Sequence, residues 1–424
     1  MGEVVGSHSS PPPAAESVPD DVLAEILLRL PPHPSFLSQA SLVCNRWRRL
    51  IHNPNFLRRF RAFHQTPPVL GFFHNSSEGA LFVPTEGPPG RIAAETTSLH
   101  RGGDDGMWWF VGCRHGRALL RSVDWADVLV WDPMTGERRC ITVPNQMQEA
   151  DYISNRDAAV FCTASGGDED GRSGPFHVAL VFTIDNGMFA CVYSLQTGAW
   201  GDLISTPTPG PLPCMLFDEP PALVGEALYW LVNGSRIIEF NFSTHSLSLI
   251  WRPSEMPATH KWNIRVVSLE DDVLGLAFVK DFTMHLWARE VADDGASNWI
   301  PRRAVEMDNV LPPLPMVTEG SRRRRMVPVW ISGFSEDGNM VFIGTPAGIF
   351  LVWLQTLKFK KVSDESLLIK TIHPYESFYV PNGGGKHKTA TVGARLLGQV
   401  ASEVFSAHSD GDRAGDNWKG EHKG

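Results

Sequence analysis

One feature governs what this chain can fold into. Between residues 67 and 380, an apolar strand, a turn and a second strand closing on a Thr-Gly-like turn recur at a similar spacing. The closing strands are VLVWDPMTGERRCITVP (128–144), FACVYSLQTGAWGDLIS (189–205), RIIEFNFSTHSLSLIWRP (236–253), MHLWAREVADDGASNWIPRR (284–303) and IFLVWLQTLKFKKV (349–362). The strands before them are GRALLRSV, FHVALVFTID, GEALYWLV, DVLGLAFVKD and NMVFIGTP. The turn threonines Thr135, Thr197, Thr244 and Thr356 are spaced by 62, 47 and 112 residues, the last interval leaving room for a diverged copy. The mean of about 55 slightly exceeds the roughly 40–50 residues of a four-stranded propeller blade. The expected fold is mainly β, a β-propeller of about six blades. The sixth would be shared between VLGFFHN and ALFVP at the start and LLIKTI and ESFYV at the end, which closes the ring and removes exposed sheet edges. A pair of β-sandwiches is the alternative, and five repeats at one period argue against it.

Residues 18–61 differ from everything after them. Val22, Leu23, Ile26, Leu27 and Leu30 form one stripe of a 3.6-residue helix, with Asp20 placed to cap it and Pro31-Pro32 to stop it. A second helix can start after Ser35 and carry Phe36, Leu37, Ala40, Val43 and Cys44. A third, short one carries Trp47, Leu50 and Ile51, and Phe56, Leu57 and Phe60 complete the cluster. A unit of roughly 45 residues is near the lower size limit for an independent core and would be steadied by a partner. Residues 1–17 (Pro, Ser and Ala) and 382–424 (opening on a glycine run) are expected to be a disordered N-terminus and a flexible tail.

Composition narrows the partners. A net charge of -9 spread along the chain gives no nucleic-acid footprint. No run approaches 18 apolar residues and the N-terminus lacks a signal-peptide plan, so neither a membrane nor the secretory route is expected. Six cysteines without a C-x-x-C pair read as reduced thiols of the cytosol or nucleus.

The segment VPDDVLAEILLRLPPHPSFLSQASLVCNRWRRLIHNPNFLRRF (18–60) resembles an F-box. The likeness rests on Val18-Pro19, Leu30-Pro31, Leu42-Val43-Cys44, Arg46-Trp47-Arg48, Ile51, Pro54 and Phe56 in that order. The remainder, with GFFHN, CRHGRALL, VLVWDPMTG, EALYW and PYESFYVP, resembles the F-box-associated, kelch-like β-propeller domain of a large group of plant F-box proteins. The family usually begins Leu-Pro, where this chain has Val18-Pro19. The repeats also lack the double glycine of kelch units and the Gly-His of WD units.

The resemblance implies the substrate-recognition subunit of a Skp–cullin–F-box (SCF) ubiquitin ligase. The F-box would bind a Skp-type adaptor, and through it a cullin, while the propeller holds a target protein. Catalysis by proximity needs no bond chemistry from this chain. On that reading the adaptor anchors are drawn from Pro19, Leu23, Ile26, Leu27, Leu30, Pro31, Leu42, Val43 and Trp47, since so small a unit cannot cover all of them. Arg46, Arg48, Arg49, Arg58, Arg59 and Arg61 make its end basic, and read as a solvated helix face or a contact to an acidic partner surface. For the target, the loops around Trp108-Trp109, Trp125, Trp262 and Arg322–Arg325 are candidates, because exposed aromatics and arginines make the best hot spots. The arginine run reads as an inter-blade loop rather than a nuclear-import patch, having no second basic cluster nearby.

The alternative is an adaptor-independent propeller scaffold or a propeller enzyme. Five tyrosines, mostly inside strands, do not suit a copper radical site. Ser335-Glu336-Asp337-Gly338 misses sialidase spacing by one and reads as a hairpin turn. Gly383-Gly384-Gly385-Lys386 lacks the Ser or Thr, first glycine and flanking elements of a phosphate loop and reads as linker. His33, His52, His64, His74, His115, His177, His245 and His285 have no metal-ligand spacing, so no metal or cofactor is expected.

Overall fold

The computed structural model describes residues 18–77, 79–86, 99–100, 107–145, 153–163, 174–184, 186–210, 219–232, 234–256, 263–280, 282–291, 297–312, 329–365 and 369–378. It separates two compact units, Met1–Gln65 with Val380–Gly424, and Thr66–Tyr379. The expectations for 1–17 and 382–424 lie outside the described residues.

Four helices make up the described part of the first unit: α1 (Asp20–Leu28), α2 (Pro34–Val43), α3 (Asn45–Ile51) and α4 (Pro54–His64). Of the expected stripe, Leu23, Leu27 and Leu30 turn inward, with Leu28 beside them, while Val22 stays exposed; Leu37, Ala40, Ile51, Phe56 and Phe60 join the buried set. Asp20 does not cap α1 as its position suggests. Pro19 holds the cap position, and Asp20 is the first helical residue. Its carboxylate still lies in the first turn, where the helix dipole favours a negative charge, and pairs with Arg46 Nε at 2.5 Å. The sequence shows α4 only as a trailing apolar cluster. Asn53 caps it, accepting from the Asn55 N–H at 2.8 Å, and Pro54 occupies the first turn, where its missing N–H has no helical partner to lose. His64 Nε2 donates to the Leu28 carbonyl at 3.0 Å, tying the end of α4 to the end of α1.

The second unit is a ring of six antiparallel sheets. The first strands of the blades are Trp108–Arg114, Ile153–Cys162, Ala222–Val224, Ile264–Leu269, Trp330–Phe334 and, in the closing blade, His373–Glu376. Those of neighbouring blades approach one another toward the axis. The closing blade takes that strand from the end of the unit and Val69–Ser76, Gly79–Pro84 and Leu99–His100 from its start, with Val69 opposite Glu376 and Phe73 opposite His373. The terminal strand is earlier and shorter than expected: Ile369 and Ile372 are buried without joining a strand, and Ser377-Phe378 follow it.

The apolar cores lie between blades. One cluster joins Val128 and Val130 of the first blade to Val178 and Leu180 of the second, another joins Leu228 and Trp230 of the third to Ala179 and Val181 of the second, and equivalents continue around the ring. A middle strand is therefore covered on both faces, and Ala227–Val232 (ALYWLV) is buried at every position. Outer strands such as Ser246–Trp251 mix exposed and buried positions instead. Two indoles cross these interfaces at the outer strands: Trp200 Nε1 donates to the Thr142 carbonyl at 2.8 Å, and Trp299 Nε1 to the Trp251 carbonyl at 3.0 Å.

The repeated threonine marks one turn geometry. Each threonine precedes a residue with positive φ: Gly136 (78°), Gly198 (67°), His245 (53°) and Leu357 (55°). Where an Asp or Asn opens the turn, its side chain caps it. Asp132 Oδ1 accepts from the Met134 and Thr135 N–H groups, and Asn241 Oδ1 from those of Ser243 and Thr244. Ser335–Gly338 is also a hairpin turn, with Gly338 at φ 71° and its N–H on the Ser335 carbonyl at 3.0 Å.

Candidate functional site

In the helical unit the structure sorts the residues nominated for the adaptor. Leu23, Leu27 and Leu30 are buried in the unit's own core. Ile26, Pro31, Val43 and Trp47 are half-buried, and Pro19 and Leu42 are exposed. Two exposed valines join them unforeseen: Val18 at 45% and Val22 at 46% exposure. Val18, Val22 and Ile26 are four residues apart, so Val22 and Ile26 share one face of α1 with Val18 at its entry. Arg46 holds the start of α3 beside that entry, through Asp20 and the Val18 carbonyl. The basic end is largely engaged: Arg59 pairs with Glu25, Arg58 donates to Asn55, and Arg48 to the Ser41 carbonyl.

On the propeller, Arg121 brings Trp109 and Trp125 together, its guanidinium 6.0 Å from one ring centroid and 4.7 Å from the other. Trp125 is held at φ 62° between two strands of the first blade. Trp108 packs instead into the core between the first and closing blades. Trp262 and Arg322–Arg325 lie outside the described residues.

The axis carries a polar constellation that the sequence does not announce. Arg265, 4% exposed, puts Nη1 2.7 Å from Glu219 Oε1 and donates through Nη2 to the Ile331 carbonyl at 2.7 Å. Three consecutive blades thus meet at one guanidinium. Burial lowers the pKa of Arg265 and the Glu219 carboxylate opposes that shift. The Glu336 carboxylate accepts from the His115 N–H at 2.9 Å, and the Glu336 N–H donates to Glu376 Oε1 at 2.7 Å. The Cys162 N–H donates to His115 Nδ1, which puts the ring proton on Nε2, 3.8 Å from Glu336 Oε2.

His373, 2% exposed, has its pKa pulled down to about 3 by burial first and then by His74 and Arg265, so its ring is neutral. Burial also pushes the Cys113 thiol well up, and its Sγ donates to the Pro374 carbonyl at 2.9 Å. This thiol is a packed donor, not a thiolate. Among the described residues no group of three His, Cys, Asp or Glu is placed to hold a metal ion, and no helix is long and apolar enough to cross a membrane.

Two family models match the chain: an F-box domain over residues 16–59, and the β-propeller of F-box protein AT5G49610-like over residues 109–382. The chain belongs to the F-box proteins with an AT5G49610-like β-propeller. The F-box match falls on the helices of the first unit, and the propeller match on most of the second. This F-box protein is similar to the Arabidopsis thaliana F-box protein At1g33530, at 22% identity over 309 residues, 70% of this chain and 64% of that relative. It therefore spans a little under two thirds of the relative's length. Among solved structures it resembles a quinonprotein alcohol dehydrogenase-like protein from Bacteroides thetaiotaomicron (13% identity, 73% of this chain and 64% of that one, TM-score 0.35). It also resembles the WD40 domain of SCAP from fission yeast (8%, 61% and 50%, TM-score 0.30). At those scores the likeness carries no argument about function.

Proposed function

We propose that this F-box protein is the substrate receptor of an SCF-type ubiquitin ligase, working in the cytosol or nucleus. Its F-box docks a Skp-type adaptor, and through it a cullin, while the propeller holds a protein target. The chain supplies proximity and performs no bond chemistry itself. The observation that carries this reading is the F-box match over 16–59 together with the apolar side chains that this unit leaves uncovered: Val18, Val22 and Leu42 exposed, Ile26, Val43 and Trp47 half-buried. Each large apolar side chain buried by a partner contributes about 1.5–3 kcal/mol by area transfer, so a few suffice for stable docking.

The test is capture of a purified Skp-type adaptor by the full chain and by a Val22→Asp, Leu42→Asp double variant. Both positions are exposed, so the variant keeps its own core. Retention by wild type and loss in a variant with an unchanged circular dichroism spectrum is the expected result. A folded wild type that captures no adaptor would overturn the proposal in favour of an independent scaffold.

A further inference from the structure

Four cavities of the propeller join into one trench. The innermost, about 50 Å3, lies at the axis against Arg265, His373, Arg114 and Glu336. It shares Arg114 and Glu336 with a mouth of about 360 Å3 that adds Glu270 and Asp272. The mouth shares Glu270 and Asp337 with a cavity of about 330 Å3 between the fourth and fifth blades, which reaches Arg302 and Arg303. Arg303 continues into the widest part, about 760 Å3, walled by Leu357, Lys358 and Phe359 at the ring's edge. A hydrogen bond from Gln355 Nε2 to Glu270 Oε1, at 3.2 Å, links the two blades beside the trench.

Charge is graded along it. The axial mouth is acidic, with Glu270, Asp272, Glu336 and Asp337 against the single guanidinium of Arg114. The outer end is basic: Arg303 and Lys358 form no ion pair with a described residue, and the one acid there, Glu306, accepts from Asn309. The outer end is also apolar, with Leu357 37% and Phe359 44% exposed. Leu357 sits at φ 55° in a turn whose counterparts use Gly136, Gly198 and His245, so a large apolar side chain is displayed there at a backbone cost. At the axial end two residues that line the inner cavity, His373 and Arg265, each carry a buried polar atom, Nδ1 and Nε, with no hydrogen-bond partner among the described residues.

We propose that this trench binds an extended peptide segment of the target, with a Lys or Arg side chain in the axial mouth and acidic and apolar residues between Arg303, Lys358, Leu357 and Phe359. The graded charge fixes the polarity of the segment, and a succession of four cavities that share lining residues suits a chain rather than a compact small molecule. The inference rests on the receptor reading above, and adaptor capture tests that reading separately.

The full chain in complex with a Skp-type adaptor, or alone if none binds, is used to select from a phage-displayed library of random dodecapeptides. A synthetic copy of the leading clone is then titrated by fluorescence anisotropy. Enriched clones should carry a basic residue separated from an acidic–apolar group. Affinity should fall about tenfold or more in both Glu270→Lys, Asp272→Lys and Arg303→Glu, Lys358→Glu, but hardly at all in Arg138→Glu, Arg139→Glu on the exposed outer strand of the first blade. No enrichment by a folded chain, or a clone indifferent to both trench variants, would overturn the proposal. Either failure with adaptor capture intact leaves the receptor reading standing.

Discussion

The Tyr375 hydroxyl donates to the Gly116 carbonyl at 3.0 Å, joining residues 259 positions apart and fastening the terminal strand to the first blade. The same strand meets the first blade again where Cys113 Sγ donates to Pro374, and the fifth where Glu376 accepts from the Glu336 N–H. The Tyr375 ring is fully buried, edge-on to Phe73 at 5.6 Å and Phe82 at 6.3 Å. Closure therefore has a polar and an apolar part that mutation can separate. Tyr375→Phe keeps the ring and removes the partner of a half-buried carbonyl, a loss of about 1–2 kcal/mol in urea denaturation. Tyr375→Ala also removes the ring, and about 3–5 kcal/mol is expected. Equal losses in the two variants would mean that the hydroxyl alone closes the ring.

His373 makes the propeller acid-sensitive. In the unfolded chain its imidazole takes a proton near pH 6.5, while in the fold it stays neutral down to about 3. Between those values the unfolded state binds more protons, so the contribution is intact above pH 6.5 and lost progressively as pH falls toward 3. At 1.36 kcal/mol per pH unit, the interval from 6.5 to about 3 sets a ceiling of about 5 kcal/mol. Denaturation midpoints at pH 7.5, 5.5 and 4.5 should fall steeply in wild type and less steeply in His373→Asn. Parallel profiles would assign the acid sensitivity elsewhere, His74 being the first alternative.

What the sequence made legible follows from how each strand is covered. The middle strands stand between two blades, so GEALYWLV and FHVALVFTID carry unbroken apolar runs, and they are found where expected. The first strands face the axis on one side. Trp108–Arg114 and Ile153–Cys162 mix Cys113, Arg114, Asn155, Arg156 and Asp157 with apolar residues, and such mixing hides a strand. The closing strand HPYE is four residues long, includes Pro374 and has no periodicity to read. Arg265 and Glu219 are far apart in sequence, and only the packing of the fourth blade against the third brings them together. In the helical unit, the stripe of α1 shows that one side packs inward, but adjacent Val22 and Leu23 cannot be sorted into exposed and buried until α2 to α4 are in place.

The Arg265–Glu219 pair should be far more costly to break than to replace. Both side chains are at most 7% exposed, so Glu219→Ala leaves a buried guanidinium without its carboxylate. A loss of about 3–5 kcal/mol is expected from that single change. Arg265→Met alone strands the carboxylate and should cost a similar amount. The double variant Glu219→Leu, Arg265→Met removes both charges and should lose clearly less than the two single losses together. The carbonyls of Ile264 and Ile331, which Arg265 also satisfies, keep it below wild type. A double-mutant cycle in urea reads the coupling, and strict additivity would show that the pair does not act as a unit.

The threonine turns allow a test of backbone strain with little packing involved. Gly136 and Gly198 sit at φ 78° and 67°, and a Cβ added at either would meet nothing within 4 Å. Gly136→Ala therefore measures the cost of left-handed geometry alone, about 1 kcal/mol of destabilisation. His245 occupies the same place in its turn at φ 53°, already strained and exposed. His245→Gly should relieve that strain and raise stability by a few tenths to about 1 kcal/mol, the greater freedom of glycine in the unfolded chain offsetting part of the gain. Thermal and urea unfolding of the two variants beside wild type should move in opposite directions. If His245→Gly destabilises instead, the imidazole makes a contact worth more than the strain it sits in.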